Sequence, residues 1–149
     1  MKLVIQRVKH ASCTIEGEMV SRIDKGFMVL VGFGDGDNEE TAIKLANKLI
    51  KLRVFDDDEG KMNLSLKDVG GSILSISQFT LYAECKKGNR PSFSNALHPD
   101  YSKPLYLFFN DYLRKQGVEV GEGVFGADMK IDLLNDGPVT ILLESKKAF

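Results

Sequence analysis

Asn135-Asp136-Gly137-Pro138-Val139-Thr140 stands between two strongly apolar runs, residues 129–134 and 139–143. Asp-Gly between strand-like runs signals a tight hairpin, because glycine supplies the positive φ that primed turns require. Pro138 complicates that reading: it fixes its own φ, removes a backbone N–H and raises the chance of a cis bond after Gly137. Two readings stay open. One is an ordinary hairpin whose proline begins an edge strand; the other is a kinked Gly-Pro peptide that displays its carbonyl oxygens to something outside it.

Working outward, residues 3–8 and 11–15 read as strands, and Glu16-Gly17-Glu18 turns the chain into a short third strand over 19–23. Residues 26–33 form a nearly continuous apolar run, as in a strand buried on both faces. A helix is predicted from about 38 to 53, with Ala42, Leu45, Ala46, Leu49 and Ile50 on one face and acidic residues capping its start. Residues 72–83 are the longest strand candidate, and both of its faces mix polar and apolar groups, which is unusual for a strand that only packs. A second helix spans about 101–116 with Leu105, Phe108, Phe109, Tyr112 and Leu113 as its buried stripe, closed by Gly117. Residues 118–120 resume the sheet, Gly121-Glu122-Gly123 reads as flexible, and 124–127 lead into the final hairpin. The fold class is mixed α/β: one domain over residues 1–149, a barrel-like mixed sheet with two main helices on one side.

Composition removes several function classes. With 149 residues, 43% hydrophobic content and a net charge of −1, the chain reads as an ordinary globular protein without the basic excess that grips long nucleic acid. Cys13 and Cys85 have no metal-ligand or redox spacing, and no apolar run reaches bilayer length, so a reduced cytoplasmic protein without metal or cofactor is expected. Gly32-Phe33-Gly34-Asp35-Gly36-Asp37 follows a strand and precedes a helix, but its glycines are misspaced for a dinucleotide loop and its acids would repel a pyrophosphate. Residues 55–61 fail the calcium-loop pattern and read as a solvated acidic turn. Only His10 and His98 could serve as imidazole bases, and neither sits in a catalytic motif.

Ser77-Gln78-Phe79-Thr80 and Asn135-Asp136-Gly137-Pro138-Val139-Thr140 occur with Gln6-Arg7-Val8, Leu52-Arg53-Val54-Phe55, Gly60-Lys61-Met62-Asn63, Gly88-Asn89-Arg90-Pro91-Ser92-Phe93 and Phe125-Gly126-Ala127-Asp128-Met129. In this order and spacing the chain closely resembles the D-aminoacyl-tRNA deacylase family. It departs at Glu122, where the family usually has threonine.

The resemblance implies a homodimer of β/β/α layered, barrel-like subunits. It implies hydrolysis of the ester joining a D-amino acid, or glycine, to the terminal adenosine of tRNA. The Ser77, Gln78, Phe79 and Thr80 segment of one subunit would face a cis Gly137-Pro138 of the other. Backbone N–H groups near Phe79 and Thr80 would stabilise a developing oxyanion, with Gln78 or Ser77 adding a donor. Thr80 is either a positioner, with the ribose 2′-OH helping to activate water, or a nucleophile that lacks an adjacent base. Carbonyl oxygens of Gly137 and Pro138 would exclude an L side chain, and Arg7 either holds that carbonyl or is a plain surface arginine. Phe125 and Met129 are pocket lining or core, and Lys86, Lys87 and Arg90 form the basic patch for the tRNA acceptor end. The alternatives are a non-enzymatic dimeric RNA-end-binding module and a general small-molecule esterase.

Overall fold

The computed structural model describes residues 1–146, and two long strands running side by side dominate it. β1 (Lys2–Ile15) turns through Glu16 and Gly17 into β2 (Glu18–Ile23), and β3 (Gly26–Gly32) leads to helix α1 (Glu39–Lys51). A small ribbon of β4 (Phe55–Asp56) and β5 (Met62–Leu64) precedes β6 (Ser72–Ser77), a single 3₁₀ turn (Phe79–Tyr82) and α2 (Pro99–Lys115). β7 (Val120–Glu122) and β8 (Lys130–Glu144) complete the chain.

β2 and β3 pair with one edge of β1 and β8 with the other, all antiparallel, while β3, β6 and β7 run parallel. β2 also approaches β6 and β7, so the mixed sheet is a nearly closed barrel. β1 to β3 are joined by short turns and so pair antiparallel, β3, β6 and β7 are joined by helical crossovers and so pair parallel, and β8 returns antiparallel to β1.

Two cores divide the sheet. Leu3, Ile5, Phe27, Val29 and Ile73 pack under the two helices, whereas Val8, Ala11, Cys13, Met28, Leu74 and Ile76 fill the barrel interior. β1 serves both. Its inward set changes from Leu3 and Ile5 to Val8, Ala11 and Cys13, with a register shift between Val8 and Ala11. A single-residue slip exchanges the faces of a strand, so the expected pair of strands over 3–8 and 11–15 is one strand with a bulge. β8 follows it, with Ile141 and Leu143 on the helix side and Ile131 and Leu133 on the barrel side.

α1 buries Ala42, Leu45, Ala46, Leu49 and Ile50 as its spacing predicts. Its cap is Asn38 in a capping box with Thr41, not the acidic residues before it. In α2 the expected stripe is rotated: Phe109 and Leu113 are buried together with Tyr106 and Asn110, while Leu105, Phe108 and Tyr112 sit at the margin. Tyr106 goes inside because its hydroxyl donates to Ser75 O at 2.7 Å, which offsets its desolvation. Gly121 and Glu122 are strand, not flexible linker: Glu122 pairs with Ser75 in the ladder and its carboxylate meets Arg114 Nη1 at 2.9 Å. No helix among the described residues is long and apolar enough to cross a membrane.

Candidate active site

The predicted hairpin at Gly137-Pro138 does not exist. β8 runs straight through, with Thr140 opposite Gln6 and Asn135 opposite Val8, so the four residues 136–139 face Arg7 alone. Asp-Gly supplies its positive φ, +125° at Gly137, to a bulge inside a strand instead of to a chain reversal. The Gly137–Pro138 bond is cis.

Side chains close this bulge from within. Arg7, only 7% exposed, donates from Nε to Asp136 O at 2.9 Å and from Nη1 to Val54 O at 2.7 Å, with Asp56 Oδ1 at 3.4 Å. It is therefore no surface arginine, and the carbonyl it holds belongs to Asp136, one residue before the Gly-Pro pair. Asn135 Oδ1 accepts from the Val139 N–H at 3.4 Å, and Thr140 Oγ1 donates to Gln6 Oε1. Gly137 fits because a Cβ there would lie 2.8 Å from Arg7 Nη2. Gly137 and Pro138 themselves are exposed.

The predicted strand over 72–83 stops at Ser77. Gln78 N–H still donates to Val31 O at 2.7 Å, then the chain tightens into the 3₁₀ turn. A helical start leaves its first N–H groups without internal partners, and the Phe79 and Thr80 N–H groups have none among the described residues. Both residues are exposed, Phe79 at 56%. Gln78 Nε2 donates to Thr80 Oγ1 at 2.6 Å, and neither His10 nor His98 contacts that hydroxyl. His98 instead caps α2 by accepting from the Asp100 N–H at 3.2 Å.

Neighbours gather at the carboxyl ends of the parallel strands, where open α/β sheets place ligands. The loop carrying Lys86, Lys87 and Arg90 is closed at its base by paired backbone bonds between Glu84 and Ser92, and Phe93 just beyond lies edge-on to Phe79 at 5.1 Å. Among the described residues Lys86 approaches Glu84 at 3.9 Å, whereas Lys87 and Arg90 have no acidic partner. Met129 is half-buried against Gly123 and the barrel core, and Phe125 half-buried 6.1 Å from the Tyr106 ring. The bulge is not part of this gathering. Within one chain it lies on the far edge of β1, separated from Gln78 by three strand spacings, on the order of 14 Å, and a similar distance along the strands. No group of metal-ligating side chains occurs among the described residues, and Cys13 is buried, which pushes its thiol pKa up.

The model of the family described as D-Tyr-tRNA(Tyr) deacylase matches residues 4–144. The chain belongs to the D-Tyr-tRNA(Tyr) deacylase family. A relative named D-aminoacyl-tRNA deacylase, from Halalkalibacterium halodurans, is 55% identical over 98% of this chain and all of its own length. A solved structure named c-Myc DNA Unwinding Element Binding Protein is 41% identical, covers 97% of this chain and 98% of its own, and has a TM-score of 0.90. A structure described as a probable eukaryotic D-amino acid tRNA deacylase shares the fold, with a TM-score of 0.81 at 20% identity over 95% of this chain and 97% of its own.

Seen in this fold, the deacylase-family motifs support one another. Arg7 ties Gln6-Arg7-Val8 to Asp136 and to Val54, and Arg53 ties Leu52-Arg53-Val54-Phe55 to Asn63, with Nε donating to Asn63 O at 2.9 Å. Sequence reasoning missed Val54 as a partner because a carbonyl has no residue signature. It treated Asn135 and Thr140 as turn residues, although Asx side chains often cap a nearby N–H.

Proposed function

We propose that this chain hydrolyses the ester of D-aminoacyl-tRNA, and of glycyl-tRNA, releasing the amino acid and free tRNA. The observation that carries the reading is the pair of adjacent N–H groups at Phe79 and Thr80, without a partner among the described residues and on exposed residues at the start of the 3₁₀ turn. An ester carbonyl oxygen seated there gains negative charge as water attacks its carbon. Two preorganised backbone donors stabilise that charge without reorganisation. Water adds to the carbonyl carbon, the bond to the ribose oxygen breaks, and the ribose hydroxyl leaves carrying a proton. Thr80 positions: its hydroxyl is engaged by Gln78 and no base stands beside it. The ribose 2′-OH helps to activate the water, as the family resemblance implies.

Selectivity comes from a second subunit. The Gly137-Pro138 bulge lies too far from Phe79 to act in its own chain, and it is exposed and rigidly backed by Arg7. β8 has no strand partner besides β1 among the described residues and exposes Leu134 and Leu142, a suitable surface for a second copy. Across such a dimer the Gly137 and Pro138 carbonyl oxygens contact the substrate amino group and occupy the space of an L side chain. Glycine passes because it has nothing to reject. Phe125 and Met129 line the amino-acid end, and Lys86, Lys87 and Arg90 meet phosphates of the acceptor end. That reaction places the chain in the cytoplasm with the translation apparatus.

Incubation with D-Tyr-tRNA and L-Tyr-tRNA tests the reading: the D ester is lost faster than in buffer and the L ester is not. Equal, uncatalysed loss of both overturns it. In that event the second reading stands, a dimeric RNA-end-binding module without activity; that the 41% identical structure is named for binding a nucleic acid favours it. Cleavage of free D-tyrosine methyl ester at a rate matching the tRNA ester would instead indicate a general esterase.

A further inference from the structure

Lys2, the first residue of β1, reaches the far end of the 3₁₀ turn. Its Nζ donates to Leu81 O at 3.3 Å and stands 4.7 Å above the Tyr82 ring. The turn rests on glycines that admit it closely: a Cβ on Gly32 would lie 2.9 Å from Gln78 O, and one on Gly34 would lie 2.3 Å from the Tyr82 ring. Tyr82 Oη is 3.5 Å from Asp37 Oδ2, and the same carboxylate accepts from Gly34 N–H at 2.7 Å and pairs with the Met1 ammonium. A cavity of about 410 Å³, lined by Met1, Lys2, Asp37 and Tyr82 among others, opens behind this end. Polar contacts brace it where apolar packing gives way to water.

We propose that Lys2 is a positioning residue for hydrolysis, a clamp on the Leu81 carbonyl near the end of the turn that fixes the direction of the N–H groups at its start. A single 3₁₀ turn has few internal bonds and poorer hydrogen-bond geometry than an α-helix, so rotation at one end moves the other. An ammonium at the carbonyl end also opposes the turn's dipole favourably. Small misalignment at a reacting centre is costly, because donors must meet the oxyanion's position and not merely lie near it. This assignment rests on the reading of the Phe79 and Thr80 N–H groups as oxyanion donors.

The test compares Lys2→Met, which keeps the stem and loses the donor and charge, with Lys2→Arg, which keeps both. Steady-state hydrolysis of D-Tyr-tRNA is read together with NMR chemical shifts of the Phe79 and Thr80 amides, at a temperature where each variant is fully folded. Lys2→Met lowers kcat about tenfold or more with KM within about twofold, and its Phe79 and Thr80 amide resonances shift. Lys2→Arg restores kcat and both amide signals. Unchanged kcat and amide signals in Lys2→Met overturn the clamp, and so does an equal loss in Lys2→Arg. Should the wild-type protein show no hydrolysis, the reading of the site fails first, while the amide signals still report whether Lys2 orients the turn.

Discussion

The bulge at residues 136–139 and the 3₁₀ turn at Phe79–Tyr82 interrupt strands in opposite ways. In the bulge the polar groups are satisfied by the chain itself: Arg7 holds the Asp136 carbonyl, Asn135 takes the Val139 N–H, and Gln6 engages Thr140. What remains outward is Gly137-Pro138. In the turn the first two N–H groups have no partner among the described residues and belong to exposed residues, with Lys2 holding the turn farther along. The first arrangement suits a wall, whose value lies in not yielding. The second suits a donor pair, whose value lies in what it has not yet bonded.

The difference is broken most severely by removing a donor. Phe79→Pro deletes one N–H at the first position of the turn, where proline is tolerated and where no internal hydrogen bond is lost; Gln78 before it lies outside the α region that a following proline disfavours, at φ −148° and ψ 86°. Hydrolysis of D-Tyr-tRNA falls by about a hundredfold or more relative to Phe79→Ala, with an unchanged unfolding midpoint. Equal rates for the two variants remove the donor-pair account.

A Cβ in the wall comes next. Gly137→Ala must accommodate φ +125° and a contact of 2.8 Å with Arg7 Nη2, costing about 2 kcal/mol in urea unfolding. The same variant discriminates less between D- and L-Tyr-tRNA; undiminished discrimination separates the bulge from chirality. Thr80→Ala is milder: kcat stays within about tenfold because the backbone carries the charge. Near-total loss with an intact fold restores Thr80 as nucleophile.

The smallest effect lies behind the wall. Asp57, one residue past the Asp56 that faces Arg7, accepts the Lys61 and Glu59 N–H groups, which holds its pKa below 3.8. A depressed carboxylate stabilises above its unfolded value and loses that contribution as pH falls through the folded one. Asp57→Asn therefore lowers the urea midpoint slightly above pH 3.8 and converges with the wild type below it. A difference that grows toward acid contradicts the assignment.

The helices were legible because a 3.6-residue period needs only local information: all five residues expected on the buried face of α1 are there. The strands were legible as far as alternation lasts. β1 looked like two strands because its buried face changes where the chain passes between cores, a matter settled by partners far away in sequence. Asp136-Gly137-Pro138 carries the chemistry of a turn, yet β1 offers β8 pairing on both sides of it, and tertiary pairing overrode the local signal. Ser77, Gln78 and Thr80 were visible as misplaced polarity, but the shift from strand to 3₁₀ turn was not. It depends on how Leu81 and Tyr82 seat against Gly32 and Gly34, which adjacent residues do not encode.

The buried guanidinium of Arg7 has a consequence for engineering. The outward face at Gly137-Pro138 carries little side-chain chemistry to exchange, so on the proposed reading substitutions there weaken discrimination, as Gly137→Ala does, without building a new preference. Its tuning screws are on the reverse side. Arg7 meets Val54, just before β4, and Asp56 within it, so on the proposed reading of the bulge, substitutions around the short β4 ribbon adjust the wall from behind. A library aimed at selectivity should start from residues 54–56 and leave the visible Gly-Pro face intact.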